Sequence, residues 1–496
     1  METGMVATPL DLLTIDLLTI DLLTIPPGVA EAAGLLQAVD GAWLEGFANL
    51  GAAQSQSLER LGAAFGGTPL ADRLSSALAA FDRHEFALDS FLTLAIARSA
   101  LQGAMHDALQ GQILAVLGRS PSPDPSQSPP SSEQHPQTLP QSAAVQQWLM
   151  ELALAGLSRL EPEQWLAITP TLAALQQDPQ AWGLASLLTG WLQDLNTTLP
   201  CVDFRQIPLH RWVDLWSRAY LGTLPALTAT PTAISGTFTP LGVDLRAHGH
   251  CLSLRLPGLL WTGDTTGDVT GDIPQFAYLN YSTYTVETIA AVENWLLLEV
   301  LRLPMAAIAQ GHSLQLTGQL WPNGALQVQN DGELGAAIDR PSLLQTYFGP
   351  WAKEAFQGVS VNPSDRHPVQ VGELVWFQDY TLQSSAQGLT LTPKPPQANV
   401  AEPEGGDRSV NLSNLRLAVD RIHPLSGFTA KDLEKAKGIL GLLQWDAGQW
   451  SLKPLGIFTG KKWLDPSSSA MATWANPPKK ASVATLQERA SRLLRS

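Results

Sequence analysis

Apolar residues recur every three or four positions along the first part of this chain. Leu35, Val39, Trp43, Phe47 and Leu50 follow that spacing, as do Leu58, Leu61 and Phe65. The period predicts helices. Gly66-Gly67-Thr68-Pro69 interrupts it, and helical character resumes from Leu70 to about Leu117. Residues 120–142 are rich in Pro, Ser and Gln and have no apolar period, which predicts a flexible linker. Asp178-Pro179 then signals a helix start, an N-cap with proline at the first helical position. Trp182, Leu187, Leu188, Trp191 and Leu195 follow it. Pro208 opens another helix, with Trp212, Leu215, Trp216 and Tyr220 on one face. Asp214 and Arg218 form an i,i+4 pair on its other side.

Near Leu224 the period changes to two. Val243, Leu245 and Ala247 share one parity; Leu252, Leu254 and Leu256 share the other. The switch falls at His248-Gly249-His250, which predicts a hairpin turn there. Residues 276–285 read as a strand. Ile289, Val292, Leu296, Val300 and Leu303 read as one helix. Residues 314–320 and 326–328 flank Pro322-Asn323-Gly324, a hairpin signal. Residues 374–382 and 389–392 suggest a further pair. Beyond a linker at about 394–409, residues 412–419 read as a strand, 429–443 as a helix and 445–458 as a hairpin around Ala447-Gly448.

The fold class predicted is multidomain α and α+β: helical blocks at the N-terminal end, then a mostly antiparallel strand-rich region with inserted helices. The expected map is a tail at 1–29, helical blocks at 30–118 and 143–223 joined by a linker at 119–142, and an α+β domain at 224–393. A linker at 394–409, a small α/β segment at 410–465, a loop at 466–481 and a terminal amphipathic helix at 482–496 complete it.

Composition sharpens this picture. Hydrophobic residues make up 45% of the 496, enough for real cores, whereas charged residues make up only 15%, against about 25% in an average protein. The 16 tryptophans and the scarcity of lysine suit a permanent protein partner as well as large cores. All ten lysines lie between Lys353 and Lys480. The larger part of the chain therefore cannot supply the lysine of a P-loop, a protein kinase or a Schiff-base enzyme. Residues 1–352 carry 13 basic against 32 acidic residues, net −19; residues 353–496 carry 17 against 13, net +4. An acidic body argues against nucleic acid and against anionic membranes. Two cysteines, Cys201 and Cys251, make no disulfide framework, and no apolar run reaches the ~18 residues of a membrane helix. The expected compartment is the cytosol, with no cofactor.

Two tandem repeats stand out. Residues 11–25 read DLLTI three times, and 262–273 read TGDT, TGDV, TGDI. The five-residue period of the first fits neither helix nor strand, and because insertions survive where backbone is exposed and few contacts cross, both repeats are expected on the surface, as a tail and a loop tip. The three aspartates of the second repeat lack the spacing of an EF-hand loop. His248, His250 and Cys251 are the metal candidates, because imidazole and thiolate suit zinc. The other reading of that stretch is a polar turn, with Gly249 supplying a positive φ. Phe276, Tyr278, Tyr281 and Tyr284 crowd one strand and read mainly as strand formers, with a ligand groove as the alternative. Gly456–Lys462 only superficially suggests a phosphate loop: three residues separate its glycines, and no Ser or Thr follows the first lysine. Cys201 has no nearby histidine and reads as a structural thiol. In the terminal helix, Val483, Leu486 and Leu493 form an apolar stripe and Arg489, Arg492 and Arg495 a basic side. Leu486, Leu493, Arg489 and Arg492 are the interaction candidates, suited to docking on an acidic body.

Trp212-Val213-Asp214-Leu215-Trp216 and Pro240-Leu241-Gly242-Val243-Asp244 resemble stretches of bacterial proteins encoded beside MoxR-type AAA+ ATPases and von Willebrand A-domain proteins. The resemblance implies an accessory or substrate-binding part of a chaperone-like system and transfers no active residue. The expected function is a non-enzymatic interaction or assembly subunit with a protein partner. The alternative is a metal-dependent hydrolase centred on His248 and His250.

Overall fold

Helices come first in the chain, as the period predicts. The computed structural model describes residues 25–119, 141–178, 181–201, 203–224, 231–248, 251–262, 273–284, 291–329, 332–349, 352, 356–359, 361–362, 365–385, 388–393, 415–446 and 448–477. The helical block comprises α1 (Pro27–Glu45), α2 (Ala52–Ala64), α3 (Ala71–Asp82), α4 (Leu88–Val116), α5 (Ser142–Ala155), α6 (Pro162–Leu166), α7 (Thr169–Leu175), α8 (Trp182–Thr198) and α9 (Leu209–Gly222). The central α4 buries Phe91, Leu94, Leu101, Leu109 and Ile113 along its length. Trp43, Phe47, Phe81, Phe91, Trp216 and Tyr220 meet in one aromatic cluster, with neighbouring ring centroids 5.0–6.3 Å apart. Edge-to-face pairs of this kind add about 0.5–1.5 kcal/mol each beyond area burial.

The first sheet contains β1 (Thr232–Pro240), β2 (Asp244–His248), β3 (Cys251–Trp261), β4 (Gln275–Tyr284), β5 (His312–Leu320), β6 (Leu326–Val328) and β7 (Glu333–Ala337). Every pairing between them is antiparallel. The sheet curls until its ends touch: the Tyr278 N–H donates to Gly324 O at 2.8 Å, so β4 meets the β5–β6 turn. One parity of each strand points inward. Phe238, Leu245, Leu254, Leu256, Leu279 and Leu316 fill the interior with α10 (Asn294–Leu297) and α11 (Arg302–Gln310).

The single helix expected around 289–303 is broken. Leu298 leaves helical geometry at φ −110°, ψ 37°. Val292 and Val300 are exposed, while Trp295, Leu298, Leu301, Met305 and Ile308 are buried. Pro304 explains the break. It lacks an N–H, and its ring would clash with the carbonyl of Val300 in a continuous helix, so it is tolerated only in the first turn of α11.

After α12 (Arg340–Phe348), the second sheet assembles β8 (Gly372–Phe377), β9 (Tyr380–Ser385), β10 (Gly388–Pro393), β11 (Leu415–Leu417), β12 (Gly438–Asp446), β13 (Gln449–Phe458) and β14 (Trp463–Leu464). Its order is β8-β12-β13-β11-β10-β9, with β14 on the end of β13 and β11 parallel to β13. Two residues join β8 to β9, yet these strands end the order on opposite sides. Three Cα steps span at most ~11 Å, whereas six flat strands span over ~20 Å. This sheet must therefore curl as well. One core unites the helical block with Val375, Leu391, Leu417, Leu443 and Leu452 of the second sheet. A separate cluster, including Leu259, Phe348, Trp376 and Leu440, lies between the two sheets.

The fold class is as expected, but three boundaries differ. β8–β10 belong with β11–β14, so residues 394–409 fall between two paired strands of one sheet and not between domains. The expected loop at 466–481 begins as α14 (Pro466–Ala475), because Asp465 caps it and Pro466 stands at its first position. The expected helix at 429–443 shrinks to α13 (Ala430–Leu433), held by a Thr429–Asp432 capping box, and gives way to β12. Gly438 and Gly441 make the later part a poor helix. Gly438 also lies directly beneath the buried Trp376 ring, where a Cβ would overlap it. Gly438→Ala is expected to cost about 1–3 kcal/mol by overpacking, measured by denaturant unfolding; a neutral effect would show that the ring can move aside.

Candidate functional site

The outer face of the first sheet divides in two. Leu259 and Phe276 at one end pack toward α12 and the second sheet. At the other end the register pairs Asp244 with Arg255, Arg246 with Ser253, Arg255 with Asn280 and Ser253 with Ser282. These polar residues line an open cavity of about 280 Å³, at whose edge lies inward-facing Tyr281.

Asp244 anchors the site. Lys453 of β13 donates to its Oδ1 at 2.5 Å and to the Leu245 carbonyl at 2.6 Å. Arg246 donates from Nε to Oδ2 at 2.8 Å, and its Nη2 lies 2.8 Å from the same oxygen. Asp244 and Lys453 are buried, whereas Arg246 is 40% exposed. Burial works to raise the Asp244 pKa, but the charges and hydrogen bonds of Lys453 and Arg246 outweigh it and hold the carboxyl below its ordinary range. It is therefore ionised and saturated with donors, a poor proton acceptor.

Arg255 is held by other means. Its Nε donates to Asn280 Oδ1 at 3.3 Å, and its guanidinium lies 4.2 Å from the Tyr278 ring centroid. Burial raises the Tyr278 phenol pKa, and Arg255 opposes that shift. A guanidinium carries five N–H donors, so both arginines retain donors beyond these bonds. This chemistry suits holding an oxyanion more than moving a proton.

A second polar cluster lies inside the helical block. Arg98 donates to Asp40 through Nε at 2.7 Å and Nη2 at 2.8 Å, with both side chains 1% exposed. His210 Nδ1 lies 2.8 Å from Asp40 Oδ2. Asp214 accepts from Arg218 at 2.9 Å, which confirms the i,i+4 pair, and its Oδ1 lies 3.7 Å from Arg98 Nη1. Elsewhere, Arg119 at the end of α4 meets Glu373 of β8 at 3.1 Å, and Arg340 of α12 meets Asp465 at 3.3 Å.

The expected site residues fall differently. His248 and Cys251 form the last rung of the β2–β3 hairpin. Their side chains, and His250, lie outside the described residues. Leu486, Arg489, Arg492 and Leu493 also lie outside them, as do nearly all of the DLLTI and TGD repeats. Among the described residues, no three His, Cys, Asp or Glu side chains are grouped to hold a metal ion, and no helix is long and apolar enough to cross a membrane. Tyr278, under Arg255, and Phe276 point outward from β4, while Tyr281 packs against the interior. The Cys201 thiol, half-buried, lies 2.8 Å from the Asp203 carbonyl. Gly456 sits within β13, so residues 456–462 form a strand and turn and not a phosphate loop. The alternation that placed Leu245 and Leu254 inward also implied an outward Asp244, Arg246, Ser253 and Arg255. Lys453 had no local signal.

No family model, curated protein or solved structure matches this chain.

Proposed function

We propose that this protein is a non-enzymatic interaction or assembly subunit working in the cytosol. One observation carries the proposal: ion pairs that are buried or half-buried bridge separate structural units, and the carboxylate at the cavity, Asp244, is saturated with donors and poorly suited to accept a proton. Asp244–Lys453 ties the first sheet to the second, Arg119–Glu373 ties the helical block to β8, and Arg340–Asp465 ties α12 to the start of α14. In an enzyme, perturbed charged groups gather where substrate binds. Here they lie mainly at the joints between units. The resemblance at 212–216 and 240–244 suggests an AAA+ and von Willebrand A-domain chaperone-like system as the partner.

The test is size-exclusion with light scattering on native extract, followed by crosslinking of the protein expressed at its natural level. The expected result is a complex of fixed stoichiometry well above the 53.3 kDa of one chain. A monomer in native extract would overturn the proposal. So would a stoichiometric zinc ion and hydrolysis of model esters, both lost in His248→Ala/His250→Ala, which would establish the hydrolase instead.

A further inference from the structure

We propose that the cavity between Arg246 and Arg255 binds the phosphate group of a small polar molecule. The inference does not depend on the assembly function.

Charge is the first argument. Residues 1–352 are net −19, with only 13 arginines. Two of these arginines lie on neighbouring strands at one cavity, backed by Lys453. The lining holds two cations, Arg246 and Arg255, and one carboxylate, Asp244, whose charge Lys453 offsets from behind the cavity. The local balance is about +2, which matches the −1.5 to −2 of a phosphate monoester at neutral pH better than a single carboxylate.

Geometry is the second. Arg255 is fixed before any ligand arrives, by Asn280 at one nitrogen and by the Tyr278 ring beneath it. Pre-ordering a guanidinium lowers the entropy lost on binding, and its planar fork matches phosphate oxygens. Ser253 and Ser282, paired across β3 and β4, add hydroxyl donors beside it. Size and surface narrow the ligand further. About 280 Å³ admits a phosphate with a few more atoms, and Arg255 already covers the Tyr278 ring, leaving that face closed to a nucleobase.

The test is calorimetric titration of the full chain at constant ionic strength with inorganic phosphate, glycerol 3-phosphate and succinate. Saturable binding of both phosphates, each tighter than succinate, is expected. A tighter glycerol 3-phosphate identifies a phosphorylated metabolite as the source; equal affinity identifies free phosphate. Arg255→Gln should weaken binding about tenfold to a hundredfold, the worth of one or two charge-assisted hydrogen bonds. Arg302→Gln, an exposed arginine on α11, should leave it unchanged. If Arg255→Gln fails to fold, Ser253→Ala/Ser282→Ala replaces it and should weaken binding by about tenfold. The proposal is overturned by a wild-type protein that shows no saturation, by equal losses in the Arg255 and Arg302 variants, or by succinate binding tightest.

Discussion

Arg98→Leu is expected to lower the unfolding free energy by about 3–5 kcal/mol, the usual result of stripping one partner from a buried ion pair. The Asp40 carboxylate would stay buried in the helical core without the two-point bond from Arg98. His210 approaches the same carboxylate at 2.8 Å but is 56% exposed and cannot replace a guanidinium at two oxygens. Arg98→Lys should also be poorly tolerated, because a single ammonium cannot satisfy that fork. The double variant Asp40→Leu/Arg98→Leu should recover most of the loss, since apolar replacement of both partners removes the desolvation cost of each. Urea unfolding monitored by tryptophan fluorescence would measure the series. A single variant within 1 kcal/mol of wild type, or a double variant no better than the single, would show that this pair does not hold α1 against α4.

The helical block was readable because each helix buries one stripe. Trp212, Trp216 and Tyr220 recur at the spacing of one face, and all three are buried. Hairpins were readable wherever a turn signal separates two alternating runs, as at Pro322-Asn323-Gly324 between β5 and β6. The grouping of β8–β10 with β11–β14 was not readable, because it depends on long-range pairing, including the parallel β11–β13 contact. Continuous apolar runs were ambiguous: Gly438-Ile439-Leu440 suits a buried strand as well as a helix until Trp376 is seen above Gly438. The missed helix α14 had its signal in plain view. Asp465-Pro466 is the N-cap-and-proline start pattern and is used as such, whereas the same pattern expected to open α8 at Asp178-Pro179 does not open it: α8 starts at Trp182 behind Ala181, with no side-chain cap. The polar site was half visible. Alternation places Arg246 and Arg255 outward, but Lys453 reaches Asp244 from 209 residues away.

Mild acid should loosen the strap at 365–367 from the helical block. Three consecutive residues meet that block: Asp365 accepts from Arg218 at 3.2 Å, Arg366 donates to Asp107 at 2.6 Å, and His367 Nε2 lies 3.6 Å from Asp214 Oδ1. His367 Nδ1 accepts from the Val369 N–H at 3.3 Å, so the neutral ring carries its proton on Nε2, toward Asp214. Burial lowers the His367 pKa from 6.5 to about 4, against the pull of Asp214; Arg218, Arg98 and His106 add to the lowering. The unfolded chain therefore takes up this proton first as pH falls. The contribution of a neutral His367 is complete above pH ~6.5 and declines until pH ~4, by about 3 kcal/mol in all. Asp244 has a depressed folded pKa too, but as a carboxyl its contribution persists until pH falls to the ordinary aspartate value, about 3.9, and is lost below it. The two windows can be separated. His367→Asn preserves an acceptor for Val369 but does not titrate, so its stability should decline less between pH 6.5 and 4. Unfolding curves across that range, with amide exchange over 365–370, provide the measurement. If both proteins lose stability in parallel and exchange in the strap does not quicken with acid, His367 is not the group that senses pH. If only the wild type softens, and softens first at the strap, the contact between helices and second sheet is the acid-sensitive joint of the molecule.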